Sequence, residues 1–349
     1  MVVNIMDILS KGIEYRASDI HLTVSQPPLY RVDGELISAP GDPLLSPEDT
    51  EKLAQQLIPG EAIRQEFETD GQVDFSNSFS GIGRFRANIY RQRGSCAAAV
   101  RLIPVEIPTI DQLKLPPIVS NLALRDRGLI LVTGVTGSGK STTLAALINH
   151  INENRKRHII TLEDPIEYLH KHKNSIINQR EIGTDTASFN QALKATLRQD
   201  PDVILIGEMR DLETISTVLT AAETGHLVMA TLHSASAASS VERIVDVFPT
   251  EQQRQIRIQL ASCLQGIITQ QLLMRHDISG RTVAAEILVA TPAIRNMIRE
   301  NKTHQIYSAM QTGQAVGMVT MERSIKTLYG EGIISREEYE RLLGSIEFK

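Results

Sequence analysis

Residues 134–141 read Gly134-Val135-Thr136-Gly137-Ser138-Gly139-Lys140-Ser141, which fits the phosphate-loop pattern G-x-x-x-x-G-K-[ST]. An apolar run, residues 128–132, precedes this loop, and an Ala/Leu-rich run, residues 142–149, follows it. A strand before the loop and a helix after it are the context that phosphate binding requires. Glycines let successive backbone N–H groups point at phosphate oxygens, and the helix N-terminus adds about half a positive charge. The sequence therefore predicts a nucleoside triphosphatase.

Two side chains of the loop have specific expected roles. Lys140 is expected to reach the β- and γ-phosphates, and the Ser141 hydroxyl is expected to bind Mg²⁺. A glycine-rich turn without a ligand is the alternative, but such a turn does not call for a strand before it and a helix after it. The predicted nucleotide-binding residues are Gly134, Thr136, Gly137, Ser138, Gly139, Lys140, Ser141 and Thr142.

Acidic residues follow two other apolar runs. Phosphoryl transfer needs an acid that organises the metal ion and a residue that orients the attacking water. Glu208 ends the run Val203-Ile204-Leu205-Ile206-Gly207-Glu208, so we expect it to hold Mg²⁺ or to polarise the nucleophile. The second run is a predicted strand at residues 158–162, which is followed by Glu163-Asp164-Pro165-Ile166-Glu167. Pro165 should direct these acids to the edge at which open α/β sheets bind ligands. A solvated acidic turn is the alternative for these acids.

A histidine and several arginines complete the set of candidate catalytic residues. His233 closes the apolar run of residues 227–231 and is expected to sense the γ-phosphate, although a lone histidine is more often a structural hydrogen-bonding residue. The arginine-rich run of residues 84–101 also contains Phe85 and Tyr90. It is interpreted as a solvated face, as a surface for single-stranded nucleic acid, or as a source of arginines delivered to the phosphates across an interface. The arginines predicted for that third role are Arg84, Arg86 and Arg101.

Length and composition set the wider limits. A chain of 349 residues suggests two domains, which we place at residues 1–103 and 118–349, with a proline-rich linker at residues 104–117. The first domain is predicted to mix helices and strands, with a hairpin near Asp33, and the second to alternate them as an α/β fold. The whole chain has 36 basic and 41 acidic residues and thus a net charge of −5, which weighs against nucleic acid as a partner. No apolar run approaches 18 residues, so direct membrane insertion is not expected.

Further motifs resemble those of the type II/type IV secretion ATPase superfamily. Near the start, Ala17-Ser18-Asp19-Ile20-His21-Leu22 fits the pilus branch of this superfamily. Ala293-Ile294-Arg295-Asn296-Met297-Ile298-Arg299-Glu300 looks like the signature of the retraction ATPases of twitching motility, with Met297 where leucine is commoner. The motifs that carry the wider resemblance are the phosphate loop, Thr161-Leu162-Glu163-Asp164-Pro165-Ile166-Glu167-Tyr168, Gly207-Glu208-Met209-Arg210-Asp211, and Thr224-Gly225-His226 with Thr231-Leu232-His233.

The resemblance implies a hexameric ring whose subunits have a small α+β PAS-like domain followed by a RecA-like ATPase domain. ATP with Mg²⁺ would bind between these domains, and its hydrolysis would drive an inner-membrane platform protein so that pilin subunits leave the fibre. Such a motor is cytoplasmic and associates peripherally with the inner membrane through the pilus machinery. The acidic run supplies the family's water-activating glutamate, which corresponds to Glu163 or Glu167, and Glu167 is the favoured of the two.

Alternatives to pilus retraction remain within and outside the family. The pilus extension ATPase and the type II secretion ATPase share the same core motifs. The extension ATPase typically has a longer N-terminal region and four metal-binding cysteines, whereas this chain contains two cysteines, Cys96 and Cys263. A RecA-like motor that translocates nucleic acid would use the arginines of residues 84–101. The signature helix is also open to two interpretations, because Arg295 and Arg299 either belong to a packed amphipathic helix or form a charged face that transmits motion.

Overall fold

A computed structural model describes residues 3–32, 34–103 and 106–347, with residues 345–347 described by their backbone alone. The chain divides into two compact units, Met1–Glu106 and Ile107–Lys349. Asp33 of the predicted hairpin lies outside the described residues, as do Pro104 and Val105 of the predicted linker. Within the remainder of that predicted linker, Ile110 and Leu115 are buried in a core of the second unit, because they pack beside the apolar side chains of its sheet and helices.

The first unit is an antiparallel sheet with three helices. Its six strands lie in the order β3-β2-β1-β6-β5-β4. Inward-facing residues of β5, such as Phe85 and Ile89, are fully buried and alternate with outward-facing polar residues, which is the pattern of a sheet with one face on the core. Its elements are α1 (Ile5–Glu14), β1 (Asp19–Leu22), β2 (Leu29–Val32), β3 (Glu35–Ser38), α2 (Pro47–Leu57), α3 (Glu61–Asp70), β4 (Gln72–Phe79), β5 (Gly83–Gln92) and β6 (Ser95–Leu102).

The second unit alternates strands and helices around a larger sheet. Its elements are α4 (Ile118–Ala123), β7 (Gly128–Thr133), α5 (Lys140–Asn154), β8 (His158–Glu163), β9 (Ile176–Glu181), α6 (Phe189–Thr196), β10 (Val203–Ile206), α7 (Leu212–Glu223), β11 (Leu227–Leu232), α8 (Ala237–Asp246), α9 (Thr250–Cys263), β12 (Leu264–Met274), β13 (Arg281–Val289), α10 (Pro292–Arg299), α11 (Ile306–Thr312), α12 (Met321–Gly330) and α13 (Arg336–Glu347). Two short 3-10 helices, Thr303–Gln305 and Gly313–Val316, flank α11.

This sheet has seven strands in the order β13-β12-β7-β11-β10-β8-β9. The strands from β12 to β9 pair in parallel, and β13 pairs antiparallel with β12. Strands β7, β10 and β11 are buried along their whole length, as expected for parallel strands covered by helices on both faces. The carboxyl ends of β7, β11, β10 and β8 therefore lie side by side at one edge of the sheet, where the predicted catalytic motifs begin.

Two strands of the second unit are absent from the sequence-based prediction. β9 is an edge strand whose residues Ile176 to Glu181 include Asn178, Gln179 and Arg180, so its apolar pattern is weak. β12 follows α9 directly, since α9 ends at Cys263 and β12 begins at Leu264. Without a turn residue between them, the sequence offers no signal for the boundary. Both strands contribute polar side chains to the predicted catalytic edge.

Candidate active site

The loop of residues 134–139 connects the end of β7 to the start of α5. Gly134, Gly137 and Gly139 have φ angles of 142°, 77° and 87°, which other residues rarely adopt. A Cβ atom on Gly134 would also lie 2.3 Å from the carbonyl oxygen of Gln270. Thr136 and Gly137 are exposed at the tip of the loop, whereas Ser138 is buried. The loop thus presents backbone at the N-terminus of a 15-residue helix, the arrangement that favours phosphate.

Lys140, the first residue of α5, folds back over the loop. Its Nζ donates hydrogen bonds to the carbonyl oxygens of Gly134 and Val135, each at 3.0 Å. Burial lowers the pKa of Lys140, and the negative charge of Glu208 opposes that change in pKa. The loop lysine follows β7 and Glu208 follows β10, so both lie at the same edge of the sheet, where the carboxylate of Glu208 acts on the ammonium.

The next two residues of α5 differ in their surroundings. Ser141 is exposed in the first turn of the helix. The Thr142 hydroxyl lies 2.9 Å from the hydroxyl of Tyr168 and forms a hydrogen bond with it. Tyr168 ends the acidic motif, so this contact ties the helix behind the phosphate loop to the segment that carries the candidate water-activating acids.

Glu208 lies at the centre of a small charged cluster. Its Oε2 is 2.7 Å from Nη2 of Arg210, and its Oε1 is 3.1 Å from Nε2 of His233. The hydrogen bond with Arg210 is the main cause of the lowered pKa of Glu208. The carboxylate is therefore held in its charged form, which suits the organisation of a metal ion. His233 is itself fixed through its backbone, because Nη1 of Arg243 donates to the His233 carbonyl at 2.7 Å.

The two candidate water-activating glutamates are held differently. Glu163, the last residue of β8, accepts a hydrogen bond from the Thr161 hydroxyl at 2.6 Å and another from Nε2 of Gln179 at 3.1 Å, both on Oε1. Burial raises the pKa of Glu163, which these hydrogen bonds oppose. The backbone N–H of Glu167 also lies against the Glu163 carboxylate. Glu163 is thus the more tightly oriented acid, and its environment favours a pKa shifted towards neutrality.

Gln179 and Arg210 are site residues that the sequence interpretation did not include. Gln179 comes from β9 and connects three parts of the acidic segment. Its Nε2 donates to Glu163 and to the Tyr168 carbonyl oxygen, the latter at 2.8 Å, while its Oε1 accepts from the His170 N–H at 2.8 Å. Recognising β9 would have placed Gln179 beside β8, since the two strands pair in parallel with Thr161 opposite Gln179. Arg210 belongs to the motif Gly207-Glu208-Met209-Arg210-Asp211, but the sequence alone suggests no role for it.

The predicted arginines Arg84, Arg86 and Arg101 lie on β5 and β6 of the first unit. Arg86 is directly opposite Arg101 in the antiparallel register. Like charges in such positions repel, and carboxylates partly offset the repulsion, since Arg86 lies 3.9 Å from Asp74 and Arg101 lies 3.0 Å from Asp19. Phe85 is 0% exposed, so it is unable to stack on a base, and this removes one of the two aromatic residues on which the nucleic-acid interpretation depended.

Helix α10, which carries the signature motif, packs through the apolar face that the sequence predicts, with Ile294 and Ile298 fully buried. Arg295, however, does not belong to a free charged face. Its Nη1 donates to the carbonyl oxygens of Ala261 and Ser262 at 2.6 and 2.8 Å, in the last turn of α9. A guanidinium is well suited to this position because the last carbonyls of a helix have no partner within the helix. Arg295 therefore fastens α10 to the C-terminus of α9.

Arg295→Ala is expected to lower the free energy of unfolding by about 2 kcal/mol, because hydrogen bonds from a charged group to two carbonyls at a helix C-terminus are lost. The matched control is Arg299→Ala, since Arg299 is exposed on the same helix and should change stability by less than about 0.5 kcal/mol. Urea unfolding of both variants checks this expectation. Equal stability of the two variants would mean that the contacts of Arg295 contribute nothing to folding.

With this geometry in place, comparisons with known proteins identify the family. The family model described as "Type II/IV secretion system protein" matches residues 109–341, which is more than half of the chain. The chain belongs to this family. Among the described residues, no helix is long and apolar enough to cross a membrane.

Individual members of the type II/IV secretion family are similar over most of this chain. It is 45% identical over 335 residues to the "Type IV pilus retractation ATPase PilT" of Pseudomonas aeruginosa, covering 96% of each protein. It is 48% identical over 314 residues to the "Twitching motility protein" of Neisseria gonorrhoeae, covering 90% of this chain and 83% of that protein. A crystal structure of the pilus retraction motor PilT with bound ADP matches with a TM-score of 0.90 and 53% identity, covering 97% of this chain and 96% of that one.

These comparisons confirm the predicted family and its α/β fold, with an N-terminal domain before a RecA-like ATPase domain. They also agree with the predicted class of protein, because the named relatives are a pilus retraction ATPase and a twitching motility protein.

Proposed function

We propose that this protein is an ATP-hydrolysing motor that powers retraction of type IV pili. The observation that carries the proposal is that Lys140, which follows the loop after β7, and Glu208, which follows β10, lie at the same edge of the sheet, so that a phosphate-binding cation and a metal-organising acid share that edge. Similarity to retraction motors extends over 96–97% of the chain, at 45–53% identity, and supports retraction rather than extension of the pilus.

The substrate is ATP, and the loop binds its phosphates. Backbone N–H groups of Gly137 and Gly139 face the phosphates, because the glycine conformations and the helix N-terminus orient them. The N–H of Ser138 instead donates to the Val135 carbonyl oxygen at 3.2 Å and closes the loop. Lys140 transfers its hydrogen bonds from loop carbonyls to phosphate oxygens, which are stronger acceptors because they are charged. The remaining loop residues, Gly134, Thr136, Ser141 and Thr142, complete the cradle.

The residues of the site also fit Mg²⁺. Within residues 3–32, 34–103 and 106–347, no three His, Cys, Asp or Glu side chains lie close enough together to hold a metal ion by themselves. Mg²⁺ commonly takes only one or two protein ligands and completes its shell with phosphate oxygens and water. The exposed Ser141 hydroxyl and the charged Glu208 carboxylate are the two groups that would hold it. The ion would neutralise charge on the phosphate oxygens during transfer.

Glu163 is the residue that we propose activates the attacking water. A general base works best when its pKa is shifted towards the working pH and when its orientation is fixed by other groups. Burial raises the pKa of Glu163, while Thr161 and Gln179 hold its carboxylate. The side chain of Glu167 has no comparable support among the described contacts. The geometry therefore favours Glu163 over Glu167, which the family resemblance favours, and Glu167 stays the alternative.

His233 links the nucleotide to the rest of the domain in this proposal. It contacts Glu208, and its carbonyl is held by Arg243 of α8. A change in the charge around Glu208 when the γ-phosphate is cleaved would alter its contact with His233. Helix α8 would then respond to the state of the nucleotide, which is the kind of coupling that a motor needs.

We further propose that six copies form a ring and that Arg84, Arg86 and Arg101 reach the phosphates across the interface. The carboxylates paired with Arg86 and Arg101 are exposed or partly exposed, so phosphate oxygens are able to compete for these two guanidinium groups. An inner-membrane platform protein would receive the motion, with the motor on the cytoplasmic side and attached to the membrane through the pilus machinery.

Deleting the gene is expected to leave abundant surface pili and no twitching. The experiment compares the deletion strain complemented with wild type and with Glu208→Gln, counting pili by electron microscopy and measuring twitching speed. Wild type should restore movement, whereas Glu208→Gln should not, because the amide removes the charge that organises the metal ion. Cells without pili would instead identify an extension motor, and unchanged pili and movement would overturn a role in the pilus.

A further inference from the structure

A buried glutamine from β12 supports the phosphate loop from behind. Gln270 is 2% exposed and lies beside β7, the strand that leads into the loop. At this level the two strands are joined by the hydroxyl groups of Thr133 and Thr269, which are 2.8 Å apart and buried. Because Thr269 precedes Gln270, this contact fixes the position of the glutamine relative to the end of β7.

The carboxamide of Gln270 holds one peptide group of the loop. Its Nε2 donates a hydrogen bond of 2.7 Å to the Ser138 carbonyl oxygen. A peptide group is planar and trans, so the N–H of Gly139 points in the opposite direction to that carbonyl. The hydrogen bond therefore fixes the direction of an N–H group at the N-terminal cap of α5, on the side of the loop away from Gln270. That side is where a phosphate would accept it.

Gln270 also touches both ends of the loop. The backbone carbonyl oxygen of Gln270 approaches Gly134 so closely that a Cβ atom on Gly134 would lie 2.3 Å from it. The side-chain Nε2 of Gln270 would lie 3.1 Å from a Cβ atom on Gly139. The first and last glycines of the loop thus pack against the same residue. The shape of the loop depends on this contact as well as on the glycine conformations.

Two buried polar atoms at this contact have no hydrogen-bond partner among the described residues, namely Oε1 of Gln270 and Oγ of Ser138. A buried polar atom without a partner reduces stability, whereas an apolar side chain of the same length would fill the space without that penalty. Packing alone therefore does not explain a glutamine at this position. What the glutamine provides is the N–H donor to Ser138.

We infer that Gln270 is a positioning residue that aims the Gly139 N–H of the phosphate loop at the phosphates of the bound nucleotide. This inference rests on the proposed function, since it assigns a role within the ATP site. An N–H group that binds phosphate in both the ground state and the transition state stabilises the two states equally, so its loss raises KM and leaves kcat unchanged. Loss of the positioning contact should therefore weaken nucleotide binding more than it slows turnover.

The test replaces Gln270 with methionine, which is of similar length and lacks the donor. We expect Gln270→Met to raise the Kd for MgADP and the KM for MgATP about tenfold, with kcat within about threefold of wild type. The control is Gln271→Met, because adjacent residues of a strand point to opposite faces of the sheet. Gln271→Met should leave Kd and KM unchanged. The thermal midpoint without nucleotide is measured for each protein.

A second variant, Gln270→Glu, removes the same donor and places a carboxylate beside the loop, so it should weaken binding more than methionine does. Unchanged binding in Gln270→Met overturns the inference. So does a parallel fall in binding, kcat and the thermal midpoint, since that pattern indicates a packing role alone. If wild type itself neither binds nor hydrolyses ATP, the proposed function fails. If wild type hydrolyses ATP and Gln270→Met binds it normally, only the role of Gln270 fails.

Discussion

Lys140→Ala should abolish ATP hydrolysis and raise the Kd for MgATP at least about 100-fold. The ammonium group would lose two or more hydrogen bonds to charged phosphate oxygens, each contributing about 1.5–3 kcal/mol, and 1.4 kcal/mol corresponds to a tenfold change in affinity. Folding should be unaffected, because the change removes a cation whose partial burial already disfavours its charged form. Titration of the protein with MgATP in a calorimeter measures the affinity directly.

Lys156→Ala is the matched control for this prediction. Lys156 lies two residues beyond the end of α5, whereas Lys140 begins that helix, and it is exposed. Both variants lose one positive charge and the same number of side-chain atoms. Normal binding by Lys156→Ala and by Lys140→Ala alike would show that residues 134–141 do not bind the phosphates.

Glu163→Gln should lower kcat by about 10²–10⁴, the contribution that a general base typically makes, with KM changed by less than about threefold. The amide oxygen of glutamine still accepts the hydrogen bonds from Thr161 and Gln179, so the local structure should persist. Single-turnover and steady-state assays separate the loss of chemistry from any loss of binding.

The pH dependence of wild type provides a second measurement of the same prediction. A base must be deprotonated to act, so kcat should fall as the pH falls through the pKa of Glu163. Because burial raises that pKa above 4.5, the fall should occur at a higher pH than for an exposed glutamate. Glu167→Gln is the comparison variant. If it loses turnover while Glu163→Gln retains it, the water is activated by Glu167 instead.

Much of the site could be predicted because its motifs follow apolar runs. The predicted strands at residues 128–132, 158–162, 203–207 and 227–231 correspond to β7, β8, β10 and β11. Parallel strands place their carboxyl ends at one edge, so motifs that follow such runs come together without knowledge of side-chain contacts. The contact between Glu208 and His233 is an example, since both residues follow strands of this kind.

Assignments that depend on side-chain surroundings could not be made from the sequence. The helical spacing of Arg295 fits a packed amphipathic helix and a charged face that transmits motion equally well, and the structure shows that its guanidinium is bonded to the end of α9. Glu163 and Glu167 have the same chemistry, and the family resemblance favours Glu167, whereas burial and hydrogen bonds support our proposal of Glu163. The roles of the arginines of the first unit stay predictions.

The phosphate-loop motif, the acids that follow the strands, and the family could be predicted from the sequence, because each is carried by residues within a short run whose local spacing is sufficient. The packing of distant segments was needed to show which glutamate is held in place, that Arg295 fastens two helices, and that Gln270 supports the loop. The hydrogen bond from Gln270 to Ser138 joins residues 132 positions apart. Local periodicity reports which way a side chain faces within its own element, but it carries no information about which distant residue packs against that face.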